Sequence, residues 1–255
     1  MENPEWFKDI HFWERYGPIM FDRKRWDEVP LVADGVDRLA KLDLYNNAPA
    51  KGPCVLDLCC GFGRIALELA RRGFSVTGVD ITETYLQTGA DDAAYENLEV
   101  EFVLQDVRVF KRPDSFDLAV NLYISFGYFD DPQDDLLFAK NACESLKEGA
   151  CFIIETLGKE IAVRDFVEAE WFERAGHTVL TEYAPVDSWG GLKNRWIIIK
   201  DGRRIEKVFT QRLYSAAELR RLLLDAGFKT VDIYGGWDEA PYDHRAEALI
   251  AVARK

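Results

Sequence analysis

Val55-Leu56-Asp57-Leu58-Cys59-Cys60-Gly61-Phe62-Gly63-Arg64 decides the reading of this chain. A short apolar run ends in an acid, passes through a glycine turn and opens a run with helical periodicity. Gly61 and Gly63 allow the backbone to approach a ligand closely, and the N-terminus of the following helix faces that ligand. Gly61, Gly63 and Ala66 also satisfy G-x-G-x-x-A, the dinucleotide fingerprint. Asp57 argues against that match, because a carboxylate at the strand end would repel a bound pyrophosphate. The same carboxylate suits an ammonium group.

Outward from this loop the chain alternates strand and helix. After the first strand, Cys54 to Leu58, come a helix over Arg64 to Arg72, a strand over Phe74 to Val79, and a helix over Thr82 to Ala94 with Thr82 as N-cap. Strands at Val100 to Leu104 and Phe116 to Leu122, a helix at Asp131 to Leu146 and a strand at Ala150 to Thr156 complete the run. This rhythm specifies a parallel sheet covered by helices on both faces. It breaks after a short helix at Lys159 to Glu168. Three β-rich runs follow, Thr178 to Pro185, Leu192 to Lys200 and Arg203 to Leu213, with a hairpin signal at Asp201-Gly202. They read as a small antiparallel sheet inserted into the main domain. Ser215 and Glu218 then form a capping box, and strands at Thr230 to Tyr234 and Ala246 to Val252 close the chain.

Upstream, Trp6, Phe7, Ile10, Trp13 and Tyr16 mark one aromatic stripe, and Val32, Val36, Leu39 and Leu42 recur at helical spacing. Asn46, Asn47, Pro49, Lys51, Gly52 and Pro53 punctuate the end of that segment. The domain reading is therefore an N-terminal helical lid segment over 1–50, a ligand-binding domain over 51–157 and 214–255, and an inserted helix and β subdomain over 158–213.

Lys and Arg number 32 against 45 Asp and Glu, a formal net charge of -13. That balance, without a long basic run, argues against nucleic acid as partner. A small molecule is the expected substrate, and the field favours a cationic ligand. The five cysteines, Cys54, Cys59, Cys60, Cys143 and Cys151, contain no CxxC pair and read as reduced thiols. Met1 to Ile10 lacks a signal-peptide apolar region and no stretch reaches membrane-span length, so the expected compartment is the cytoplasm, with no membrane partner. The three scattered histidines suggest no metal. Oligomeric state is not legible.

With its acid, x, x, x-G-x-G pattern, the first loop resembles the opening motif of the class I S-adenosylmethionine-dependent methyltransferases, with Cys59 where their first glycine usually stands. The resemblance spans the chain and is nearest to bacterial small-molecule enzymes distantly similar to glycine and sarcosine N-methyltransferases. It implies an α/β fold, a Rossmann-like three-layer sandwich. Its mostly parallel seven-stranded sheet would run 3-2-1-4-5-7-6, with N-terminal helices and a small antiparallel β insertion. The implied cofactor is S-adenosyl-L-methionine, with S-adenosyl-L-homocysteine as product. The implied cofactor residues are Asp57, Cys59, Gly61, Gly63 and Arg64 in the first loop. Asp80 and Ile81 would meet the ribose, Asp106 and Val107 the adenine, and Asn121 and Leu122 the fourth strand end.

Methyl transfer is an in-line displacement, so the protein chiefly orients acceptor, methyl and sulfur and excludes water. Candidate catalytic groups near the strand ends are Tyr123, Glu155 and His244, and candidate substrate contacts are Trp13, Tyr16, Tyr128, Arg195 and Tyr242. Trp13, Tyr16 and Phe21 form either a lid or core, and Arg195 and Trp196 either face the substrate or stiffen a hairpin. Three other readings compete: a non-catalytic cofactor sensor, an NAD-dependent oxidoreductase that Asp57 opposes, and an RNA methyltransferase, which would need a basic face.

Overall fold

The computed structural model describes residues 5–41 and 52–255. The punctuation expected at Asn46, Asn47, Pro49 and Lys51, and the end of the apolar repeat at Leu42, lie outside the described residues. A 3-10 turn at Trp6–Lys8 leads into α1 (Ile10–Met20), α2 (Arg23–Asp27) and α3 (Val29–Ala40). Asp9 and Asp22 cap α1 and α2, their side chains accepting from Phe12 N and Arg25 N.

The central sheet is built from β1 (Cys54–Leu58), β2 (Ser75–Asp80), β3 (Val100–Leu104), β4 (Phe116–Asn121), β5 (Leu146–Thr156), β10 (Thr230–Tyr234) and β11 (Leu249–Arg254). Their order is β10-β11-β5-β4-β1-β2-β3. Counting only these seven strands along the chain, that is 3-2-1-4-5-7-6, and the last of them runs antiparallel to both neighbours. The connecting helices are α4 (Arg64–Arg71), α5 (Glu83–Glu96), α6 (Pro132–Ser145) and α8 (Ala216–Asp225). β1 and β4 are buried on both faces, which is why their sequences run apolar without alternation. One core layer joins β1, β4 and β5 to α6 and α8, and the other joins them to α3 and α4.

Between β5 and α8 the chain makes α7 (Lys159–Arg164) and a second sheet. That sheet orders β6 (Ala169–Arg174), β7 (His177–Val186), β8 (Gly191–Lys200) and β9 (Arg203–Arg212) as a meander. It has one strand more than the sequence shows, and α7 is shorter than the expected helix. The segment Glu168 to Arg174 carries acids and aromatics that suit either state, and pairing with β7 decides it. Two of its three hairpins turn on residue pairs at positive φ, Ala175-Gly176 and Asp201-Gly202, which matches the twist of the strands they join. The inner face of this sheet packs on α1, with Val179 and Ile198 against Phe12, Tyr16 and Ile19. The Ser215–Glu218 capping box is formed, whereas Thr82 occupies the N-cap position of α5 without a side-chain cap.

Candidate functional site

The carboxyl ends of β1, β2, β4 and β5 open into a cavity of about 340 Å³, closed by α1 on one side and the second sheet on another. Its floor is the first loop. Cys59, Gly61 and Gly63 all take left-handed φ, at 62°, 55° and 73°. The motif therefore demands that conformation at Cys59 as well, where glycine is the cheaper residue. Gly63 serves packing: a Cβ there would stand 2.7 Å from the Phe102 ring.

Asp80 ties this loop to the next one. Its Oδ2 accepts from Gly61 N at 2.9 Å and its Oδ1 from Thr82 N at 2.8 Å. Each oxygen keeps a second lone pair for a ligand hydroxyl. Asp57 is 3% exposed and its Oδ2 has no partner. Burial, reinforced by the charge of Asp80, pushes its carboxyl up to about 7. Burial also raises Asp80 and both thiols of Cys59 and Cys60. The floor thus holds two carboxyls, Asp57 and Asp80, that make no ion pair among the described residues.

Arg64, at the start of α4, is the reverse case. It is 4% exposed, and burial lowers its pKa. Its guanidinium lies 4.2 Å from the Tyr123 ring centroid and 4.9 Å from that of Phe21. It donates to Arg25 O at 2.7 Å and makes no ion pair among the described residues. An unmatched buried anion and an unmatched buried cation therefore flank one glycine loop. That is the charge pattern of a site for a zwitterionic amino-acid group carrying an ammonium and a carboxylate. The residues present fit the methionine end of S-adenosylmethionine.

A model described as a methyltransferase domain matches residues 55–149, which run from the first loop through α6. The ubiquinone biosynthesis O-methyltransferase of Methylobacterium nodulans is 25% identical over 200 residues, covering 74% of this chain and 78% of that one. Two solved structures share the fold. An S-adenosylmethionine-dependent methyltransferase from Clostridium acetobutylicum superposes with a TM-score of 0.73 at 17% identity, covering 96% of each chain. An amino pentose methyltransferase from Micromonospora echinaspora, solved with S-adenosylmethionine bound, gives 0.64 at 18% identity over 90% of this chain and 92% of that one. Residues 55–149 are a methyltransferase domain, and the chain has the fold of the S-adenosylmethionine-dependent methyltransferases.

Of the expected cofactor residues, Asp57, Cys59, Gly61, Arg64, Asp80, Ile81, Asp106, Val107 and Leu122 line the cavity. Gly63 and Asn121 do not. Asn121 is fully buried behind the wall, its Nδ2 donating to Leu58 O at 2.8 Å. Asp106 reaches the cavity, but its carboxylate is clasped by Arg108, which also binds Glu5 and Asp134. Burial raises the Asp106 carboxyl, and Arg108 outweighs this and holds it low.

Tyr123, Glu155, Trp13 and Tyr128 also line the cavity. His244, Tyr242, Tyr16 and Arg195 stand away from it. His244 is exposed, with only its carbonyl engaged, by Arg164. Tyr242 donates to Glu160 on α7. Tyr16 is 0% exposed and donates to Trp196 O at 3.0 Å, so it belongs to the joint between α1 and β8. Arg195 pairs with Glu182 and Glu206 on the outer face of the second sheet. Its neighbour Trp196 points the other way and lines the cavity, as alternation along a strand requires. Sequence reasoning missed the wall contributed by the second sheet, Arg174, Asn194, Phe209 and Gln211, and Arg25 from α2. Parity along β8 was the available signal, but it needed knowledge of which face docks on α1. Trp13 and Phe21 line the cavity beside the first loop: the Tyr85 hydroxyl, rising from α5, donates to Trp13 O, and Phe21 packs on Phe62 and Tyr85.

Among the described residues no group of three His, Cys, Asp or Glu side chains is placed to hold a metal, and no helix is long and apolar enough to cross a membrane.

Proposed function

We propose that this methyltransferase acts on a small molecule with an apolar, ring-bearing body, taken into the chamber between α1 and the inserted sheet. The carrying observation is the pair of unmatched buried charges, Asp57 and Arg64, at the floor of a chamber whose upper walls are aromatic. In this reading Asp57 receives the ammonium and Arg64 the carboxylate of the methionine moiety, Asp80 accepts from ribose hydroxyls, and the turn at Asp106 and Val107 borders adenine. Bound S-adenosylmethionine supplies an activated methyl group on a sulfonium whose thioether departs readily.

The chain's own residues then have to orient an acceptor and keep water out. Trp6 stacks on Phe209 with ring centroids 4.2 Å apart and lies 4.7 Å from Tyr128, which builds a flat apolar wall. Residues 158–213 serve as the acceptor roof, and 5–27 as the cover of the cofactor end. A roofed chamber in a chain of net charge -13 suits a small molecule and not a polynucleotide. All five cysteines are free, which suits the cytoplasm.

Calorimetric titration with S-adenosylmethionine, S-adenosylhomocysteine and NAD tests the cofactor half. Micromolar binding of the first two and no heat from NAD is expected; the reverse pattern overturns it. A panel of phenols and amines with aromatic or alicyclic bodies, read by mass increase of one methyl group, tests the acceptor half. Turnover confined to RNA or protein acceptors would refute it.

A further inference from the structure

The loop leaving β4 carries a strained element that cofactor binding does not call for. Tyr123 and Ile124 take φ of 57° and 63° in succession. Two adjacent non-glycine residues in the left-handed region are rare, and a β-branched one such as isoleucine is an outlier. Such a backbone persists only where its surroundings over-determine it.

Here both amides of the pair are received by one residue. Tyr123 N donates to Glu155 Oε2 at 2.6 Å, and Ile124 N donates to the Glu155 carbonyl at 3.3 Å. The opposite side is held by β9. Gln211 Nε2 donates to Ile124 O at 3.1 Å, and Arg212 N donates to Gly127 O at 2.8 Å. The loop is thus clamped between the end of β5 and the end of β9, the last strand of the insertion. Its output is the Tyr123 ring, which stacks on the Arg64 guanidinium and lines the cavity.

We infer that Glu155 is a positioning residue, whose carboxylate locks the Tyr123–Ile124 backbone into the shape of the acceptor wall, with Gln211 as the second half of the clamp. This separates Glu155 from the proton-carrying or amine-holding role that its place at the strand end suggests. The Glu155 Oε2 serves this backbone as an acceptor, and what the loop requires of it is acceptance alone. Glutamine can supply an acceptor oxygen at the same length, whereas alanine cannot.

Hydrogen exchange read by mass spectrometry on the full chain tests this without any acceptor or cofactor. In Glu155→Ala, peptides spanning 119–127 should exchange at least about tenfold faster than in the wild type, while peptides of β1 and β2 stay unchanged. Glu155→Gln should stay within about threefold of wild type, the rescue that a clamp predicts. Gln211→Ala should accelerate the same peptides alone, and it carries the test if Glu155→Ala does not fold. Wild-type protection in Glu155→Ala, or Glu155→Gln exchanging as fast as Glu155→Ala, overturns the inference. A parallel titration with S-adenosylmethionine keeps the two readings apart, because loss of cofactor binding by the wild type would sink the proposed function and leave the exchange result standing.

Discussion

Replacing Asp57 by asparagine should stabilise the cofactor-free protein at pH 8 and not at pH 5. The Asp57 carboxyl is buried, lacks a partner at Oδ2, and is pushed up to about 7 by burial and by Asp80. In the unfolded chain an aspartate titrates near 3.9. Below pH 4 both states hold the proton and the group is neutral to stability. Between pH 4 and pH 7 the folded state holds a proton that the unfolded state has released, so stability falls as pH rises. Above pH 7 the whole penalty stands, about 4 kcal/mol from a gap of roughly three pKa units at 1.36 kcal/mol each. At pH 5 the same linkage leaves about 1.5 kcal/mol.

Asparagine removes the charge but buries an amide N–H at a cost of roughly 1–3 kcal/mol, equal at both pH values. That unknown cancels in the difference, so the benefit of Asp57→Asn should be about 2–3 kcal/mol larger at pH 8 than at pH 5. For a chain of this size, the increment in Tm should differ between the two pH values by roughly 4–12 °C. Thermal melts of both proteins by circular dichroism suffice. The same Tm increment at both pH values, or a larger one at pH 5, would refute the reasoning. Under the proposed function the same substitution should weaken S-adenosylmethionine by about tenfold or more, since the ammonium loses its counter-charge.

Other perturbations follow from the same geometry. Arg64→Met should lower S-adenosylmethionine affinity at least about tenfold by calorimetry while keeping the apolar stem that packs on Phe21; unchanged affinity would remove Arg64 from the binding set. Cys59→Gly should keep stability within about 1 kcal/mol, because φ of 62° is a glycine conformation, while the β-branched Cys59→Val should lose roughly 2 kcal/mol in urea unfolding; equal losses would contradict the left-handed assignment. Gly127→Ala should cost at least about 2 kcal/mol, since φ is 93° and the new Cβ would lie 2.5 Å from Arg212 O; a neutral result would mean that the loop and β9 separate freely.

The sequence made the cofactor floor legible because its residues are local. Asp57, Gly61 and Arg64 fall within eight positions, and strand, turn and helix fix their mutual placement before any tertiary contact forms. Asp80 is one strand further on and follows from parallel pairing, with Gly78 beside Asp57 in the register. The acceptor side has no such locality. Trp13 and Tyr16 read as one stripe because they are three apart, yet α1 is buried on two sides. Trp13 turns to the cavity and Tyr16 to the inserted sheet. The loop carrying Tyr242 and His244 follows β10, at the carboxyl end of a strand like the true site. A bridge between Tyr234 and Pro241 and the bond from Tyr242 to Glu160 turn it towards α7 instead.

The two halves of the site also differ in what holds them. The floor is set by turn chemistry and by Asp80, which bonds two backbone amides whether or not a ligand is present. The acceptor wall depends on an element that docks late in the chain: Gln211 and Arg212 reach Ile124, Phe126 and Gly127 across more than eighty residues. A chain that changed its insertion would therefore reshape the acceptor wall while leaving Asp57, Gly61 and Asp80 in register. The strain at Tyr123 and Ile124 marks the seam between the two, and under the proposed function a change of acceptor specificity is expected in β8, β9 and this loop, not in the glycine turn.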